Sequence, residues 1–197
     1  LVKKAIICQS NSLTYAEFDE LTDKICQFVK KFKKDKFRVA ICLKRSIYTI
    51  PTIIGVLKAG ATYVPFDKDT PLSRMEFMLK DSEATLLLTE EGIDIPSAPC
   101  PISYINDIIN ETADSTSVIA DMPHTAYIIY TSGTTGIPKA TPISTPSLHQ
   151  LIHNIIHHNK WIDEQDRVLQ MSSISFDASI VDIFVALYSG ATLVLAD

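Results

Sequence analysis

The sequence predicts an α/β fold: two similar α/β halves with largely parallel sheets flanked by helices, the second half truncated. Three observations carry the prediction. Short apolar runs alternate with amphipathic helical segments along the chain. Several runs, such as "RVAICL" and "ATLLLT", are continuously apolar, as strands buried on both faces of a parallel sheet are. And the segment that starts at Leu57 recurs at Leu187.

The elements follow in order. "AIICQ" reads as a strand. Thr14 and Glu17 form a capping box that opens a helix, in which Leu21, Ile25, Phe28 and Phe32 recur at helical spacing. "FRVAICL" is a buried strand. A second helix is expected from about Ser46 to Ala59, stopped by Gly60. "ATYVPF" is the next strand. Thr70 is the expected cap of a third helix, with Pro71 in its first position. "ATLLLT" is another strand. Pro96, Pro99, Pro101 and Pro123 mark a connecting section, with a short strand near "ISYI". "HTAYIIYT" then begins a second series: a helix from about Thr145 with Pro146 in its first turn, the strand "RVLQMS", a helix from Ala178 to Tyr188, and the strand "ATLVLA".

"LKAGATYVPFD" (Leu57 to Asp67) agrees with "LYSGATLVLAD" (Leu187 to Asp197) at Leu, Gly, Ala, Thr, Val and Asp. Upstream, "RVAI" at Arg38 matches "RVLQ" at Arg167. The match reads either as shared strand chemistry or as one plan used twice. The second reading divides the chain into residues 1–122, an α/β subdomain with its Pro-rich connection, and residues 123–197, an incomplete second subdomain.

Composition narrows the function. A net charge of −5 does not favour nucleic acid. The one basic run, "KKFKKDK", falls at the polar end of a predicted helix and reads as a solvated helix end. Four dispersed cysteines without a C-x-x-C pair suggest neither zinc nor a redox pair, and they suit a cytosolic location. No apolar stretch approaches the length of a membrane span. His149, His153 and His157 share one helix face, but no acidic partner stands nearby, so they read as a polar face and no metal ligand is assigned.

The chemistry concentrates in "YIIYTSGTTGIPKA", Tyr127 to Ala140. A buried strand delivers Thr131, Ser132, Thr134 and Thr135 to a sheet edge. Gly133 and Gly136 let the backbone turn tightly and approach a ligand. Successive N–H groups in such a turn form an anion-binding concavity, and Lys139 adds a positive charge. The set suits a polyphosphate. It is not a Walker A loop, because no Ser or Thr follows the lysine and the lysine is set back from the last glycine.

This loop resembles the phosphate-binding signature of the acyl-adenylate-forming superfamily. "LTYAEFDEL", "LKAGATYVPFDKDTPLSR" and "FDASIVDIF" resemble, in the right order, motifs of the adenylation domains of nonribosomal peptide synthetases. The resemblance implies an ATP-dependent ligase. A substrate carboxylate attacks the α-phosphorus of ATP, the bond to pyrophosphate breaks, and a carrier-protein phosphopantetheine thiol then takes the acyl group. It implies Mg²⁺ as a companion of the nucleotide. It puts Thr131, Ser132, Gly133, Thr134, Thr135, Gly136 and Lys139 on the phosphates, and Asp177 on the α-ammonium of an amino acid, with Ala178 and Val181 beside the substrate side chain. By itself Asp177 reads as a helix cap.

Two departures stand out: Ala140 replaces the usual glycine, and Thr145 stands where a histidine is common. The family's later motifs are not in this sequence. The expectation is a fragment without a complete catalytic set, inactive alone, that works with the remainder of its adenylation domain. A fragment of an acyl-CoA or aryl-acid ligase, or a non-catalytic interaction fragment, are the alternatives.

Overall fold

The computed structural model describes residues 3–111, 118–132, 137–159 and 162–196. Its elements run β1 (Lys4–Cys8), β2 (Asn11–Thr14), α1 (Tyr15–Lys30), β3 (Arg38–Cys42), α2 (Thr49–Lys58), β4 (Thr62–Phe66), α3 (Leu72–Asp81), β5 (Leu86–Thr89), β6 (Ile102–Tyr104) and α4 (Ile105–Asn110). There follow β7 (Thr125–Ser132), β8 (Pro138–Ser144), α5 (Thr145–Asn154), a π-helical turn (Ile155–Asn159), β9 (Arg167–Gln170), α6 (Ala178–Tyr188) and β10 (Thr192–Leu195).

The strands make two sheets, one ordered β6-β5-β3-β4-β7-β8 and the other β2-β1-β10-β9. All pairings are parallel except the hairpins β1–β2 and β7–β8. The mixed α/β fold with mostly parallel sheets is thus the one the sequence predicts.

The repeat is structural. β1-β2-α1-β3-α2-β4 and β7-β8-α5-β9-α6-β10 follow one plan. Arg38 is opposite Thr62, and Arg167 is opposite Thr192. Both hairpins carry a register shift at the same place, after Lys4 and after Thr125. Gly60 and Gly190 stop equivalent helices at φ +83° and +70°. Each lies in a Schellman motif: Ala61 N–H donates to Val56 and Gly60 N–H to Leu57, as Ala191 does to Ala186 and Gly190 to Leu187.

The sheets, however, do not divide at 122/123. The first hairpin joins the second unit, with β1 against β10, and the second hairpin joins the first unit, with β7 against β4. Each unit thereby lends its hairpin to the other's sheet. Two threonines fasten the exchange: the Thr62 hydroxyl donates to the Thr125 carbonyl at 2.7 Å, and the Thr192 hydroxyl to the Lys4 carbonyl at 2.9 Å.

Several boundaries move for local reasons. α1 begins at its capping box as expected: Glu17 N–H donates to the Thr14 hydroxyl at 3.2 Å, and Thr14 N–H to the Glu17 carboxylate at 2.7 Å. α3 starts one residue later than expected. Pro71 occupies the cap position with ψ 136°, while Thr70 N–H closes a turn onto Asp67. α2 starts at Thr49, whose hydroxyl donates to the Lys44 carbonyl at 2.7 Å. α5 is capped by Ser144, since the Thr145 hydroxyl is spent on the Pro123 carbonyl. Within the basic run, Lys33 pairs with Asp121 and Lys36 with Glu83, both at the surface. Cys26 and Cys42 are buried in the core.

Candidate functional site

β4 and β7 pair only at Tyr63↔Tyr127. Two residues further on, Pro65 has no N–H to extend the ladder. A cavity of about 650 Å³ opens there, at the carboxyl ends of both strands, where open α/β sheets bind ligands.

Three segments far apart in the chain form its walls. The β7–β8 hairpin contributes Tyr127, Ile129, Tyr130, Thr131 and Ser132 from β7, with Thr141 and Ile143 from β8. The turn from β4 into α3 contributes Asp67, Asp69, Thr70 and Arg74. The segment before α6 contributes Ser175, Phe176 and Asp177. The structure therefore brings Thr131, Ser132 and Asp177 onto one cavity.

Lys139 is opposite Thr131 on β8 and exposed, outside the wall. Gly133, Thr134, Thr135 and Gly136 lie outside the described residues. Ala178 is exposed, and Val181 packs against the main core; neither lines this cavity.

Asp177 holds the cap position of α6 with helical φ −61° and ψ −30°, and its side chain makes no capping bond. A cap acceptor works from extended backbone, which explains the missing bond. The carboxylate is left for something else. Its charge reaches Tyr127, whose phenol is raised first by burial and then by Asp177. Beneath Tyr127 lies Tyr63, fully buried, with ring centroids 5.5 Å apart and no partner for its hydroxyl among the described residues.

Sequence reasoning missed the clamp that holds the third wall. The Ser173 hydroxyl donates to Asp67 at 2.7 Å and lies 2.9 Å from the Ser175 hydroxyl. Asp67 thus ties the segment carrying Asp177 to the end of β4. Arg45 adds bonds to the Met171, Ser172 and Ala196 carbonyls. The available signal was Asp67, which recurs as Asp197 in the repeat.

Other groups lack such convergence. Burial first, then the charges of Asp67, Glu90 and Asp69, push the Cys42 thiol up to about 12, so it is no nucleophile at neutral pH. His149, His153 and His157 stack along one face, with centroids 6.0 and 4.2 Å apart. A second cavity of about 660 Å³, between α1, α2, α5 and α6, is walled largely by apolar groups such as Phe18, Leu148 and Phe184. Among the described residues no helix is long and apolar enough to cross a membrane.

A family model described as "AMP-binding enzyme" matches residues 2–197. The chain belongs to that family. It is 37% identical over 201 residues to tyrocidine synthase 3 of Brevibacillus parabrevis, covering 97% of this chain and 3% of that one. It is 37% identical over 205 residues to bacitracin synthase 3 of Bacillus licheniformis, covering 98% and 3%. The chain thus spans a small part of the relatives it matches, and these are nonribosomal peptide synthetases with adenylation domains.

Solved structures agree on the fold. The N-terminal subdomain of Klebsiella oxytoca NpsA in complex with 3-hydroxybenzoyl-AMSN superposes with a TM-score of 0.87 at 25% identity, over 99% of this chain and 50% of that one. The nonribosomal peptide synthetase FmoA3 in its AMPPNP-bound form gives 0.89 at 24% identity, over 100% and 21%.

Proposed function

We propose that this chain is part of an enzyme that activates an amino acid as its aminoacyl-adenylate and passes it to a carrier-protein thiol. One observation carries the reading: the Asp177 carboxylate, unused as a helix cap, opens onto the same cavity as Thr131 and Ser132. A carboxylate on a half-apolar wall suits an α-ammonium, and hydroxyls at the end of a parallel strand suit phosphate. In this reading the loop of Thr131, Ser132, Gly133, Thr134, Thr135, Gly136 and Lys139 cradles the triphosphate. Asp177 orients the substrate, and Ala178 and Val181 are neighbours of its side chain. The substrate carboxylate is then directed at the α-phosphorus, so binding supplies orientation before any bond forms.

Mg²⁺ fits the described residues poorly. No group of three or more acidic, histidine or cysteine ligands gathers among them. Asp67 is bonded to Ser173, and Asp69 is paired with Lys68 at 2.6 Å.

Calorimetric titration of the chain with each of the twenty amino acids, in the presence of ATP, tests the proposal. One amino acid or a few similar ones should bind, and D177N should weaken them by roughly tenfold or more, the worth of a charge-assisted bond. Binding of an aryl or fatty acid instead, unchanged in D177N, would reassign the chain to an acyl-CoA or aryl-acid ligase. Loss of ATP binding on replacing Thr134 and Thr135 with Ala would support the phosphate loop.

A further inference from the structure

Arg74 is a cation on the cavity wall to which nothing so far gives a task. It sits in the first turn of α3, half-buried. Among the described residues its guanidinium has no ion pair or hydrogen bond. The nearby acids do not claim it: Asp67 accepts from Ser173 and from the Asp69 N–H, and Asp69 is paired with Lys68. Asp177, on the same wall, is not bonded to it either. A partly desolvated guanidinium without an anion is costly to keep, and its forked donors match phosphate oxygens.

Topology says which part of the ligand it faces. α3 is the crossover helix between parallel β4 and β5, so it runs antiparallel to β7. The Tyr130 hydroxyl meets α3 at the Met78 carbonyl, 3.4 Å away, and donates to the Asp81 carboxylate at 2.7 Å. One turn towards the start of α3 from Met78 is Arg74, level with the end of β7. Side chains alternate along a strand, so Ser132 shares the sheet face of Tyr130, the face α3 covers. Tyr127, which feels the Asp177 charge, lies on the opposite face with the main core. The cavity is therefore polarised, with Asp177 at one end and Arg74 beside Ser132 at the other.

We propose that Arg74 binds the pyrophosphate portion of the nucleotide, beside Ser132 at the end of β7, and steadies it as it leaves. The assignment rests on the adenylate-forming reading above. As the α-phosphorus–oxygen bond breaks, the electron pair and its charge stay on pyrophosphate. A fixed cation there lowers the energy of that separated charge.

The test is calorimetric titration of the whole chain with inorganic pyrophosphate, for the wild type, R74Q, R74K and the outer-surface variant E76Q. R74Q should weaken binding by roughly ten- to hundredfold, and R74K should recover part of it. E76Q should stay within about twofold, because its charge is exposed and screened. Thermal unfolding should be unchanged in R74Q, since no bond of the fold is lost; if R74Q proves unstable, R74K decides. Equal pyrophosphate binding by wild type and R74Q would overturn the Arg74 assignment alone. So would an R74Q that loses amino-acid binding and keeps pyrophosphate, which would place Arg74 on the substrate carboxylate. No pyrophosphate binding by the wild type would sink the phosphate-loop reading and this inference with it.

Discussion

The hairpins β1–β2 and β7–β8 are the same device with different tips. Each starts with the same register shift, leads into a capped helix, and lends itself to the other unit's sheet. The first turns at Gln9 and Ser10, with Gln9 at φ +53°. The second has longer strands, eight and seven residues against five and four, and residues 133–137 between them. Surface turns tolerate insertions better than the strands they join. The proposed phosphate loop thus falls, in the order of the chain, where the first hairpin has only Gln9 and Ser10.

A second difference lies in how the helices meet. In the first unit Gly55 lets α2 approach α1; a Cβ there would come within 2.7 Å of Ile25 Cβ and 3.0 Å of the Thr22 carbonyl. The equivalent of Gly55 is Val185, buried, and that of Ile25 is Ile155, where α5 gives way to a π-helical turn. The second unit keeps a side chain where the first needs space. Gly55→Val should therefore be the most damaging change, about 3 kcal/mol or more by overpacking, measured in urea unfolding. Stability within about 0.5 kcal/mol of wild type would mean that the two helix pairs are packed alike.

The helix stops separate the units more gently. A Cβ on Gly60 would meet the Asp121 carbonyl at 2.7 Å, in addition to the strain of φ +83°. On Gly190 the nearest atoms are 3.7 and 3.8 Å away, so only the strain of φ +70° remains. Gly60→Ala should cost about 2–3 kcal/mol and Gly190→Ala about 1, the left-handed penalty alone. Equal losses would show that the backbone at Asp121 yields freely.

Much of this was legible in the sequence because it is local. Thr14 with Glu17, Gly60 as a stop, and the span of α6 all follow from residues within a few positions of one another. What was missed is non-local or weakly patterned. β2 and β8 read "NSLT" and "PKATPIS", polar edge strands with no apolar alternation. α4 offers little more than one turn, anchored by buried Ile105 and Ile108. The exchange of hairpins could not be read, since the match of Leu57–Asp67 with Leu187–Asp197 says nothing of which strand each copy pairs with. At the site, Thr131 was singled out by the composition of its loop and Asp177 by resemblance. The bond of Asp67 to Ser173 and the place of Arg74 on the cavity wall emerge only when distant segments meet.

The smallest contrast is at the helix starts. α1 is capped by Thr14 with Glu17, and α5 by Ser144 with Ser147, which has no titrating group. The bond from the Thr14 N–H, then that with its hydroxyl, hold the Glu17 carboxyl below its ordinary value. A depressed carboxyl contributes its stability above the unfolded pKa and loses it as pH falls through the folded one. The start of α1 should therefore loosen between roughly pH 5 and pH 3, while the start of α5 does not. Glu17 is fully exposed, so the effect is local fraying, visible as faster amide exchange at Glu17 and Phe18 than at Ser147 and Leu148. Glu17→Gln keeps the acceptor oxygen and removes the proton, so its α1 start should hold constant protection across that range. If acid frays both helices together, or frays α1 equally in the glutamine variant, the difference between the two caps has no energetic meaning.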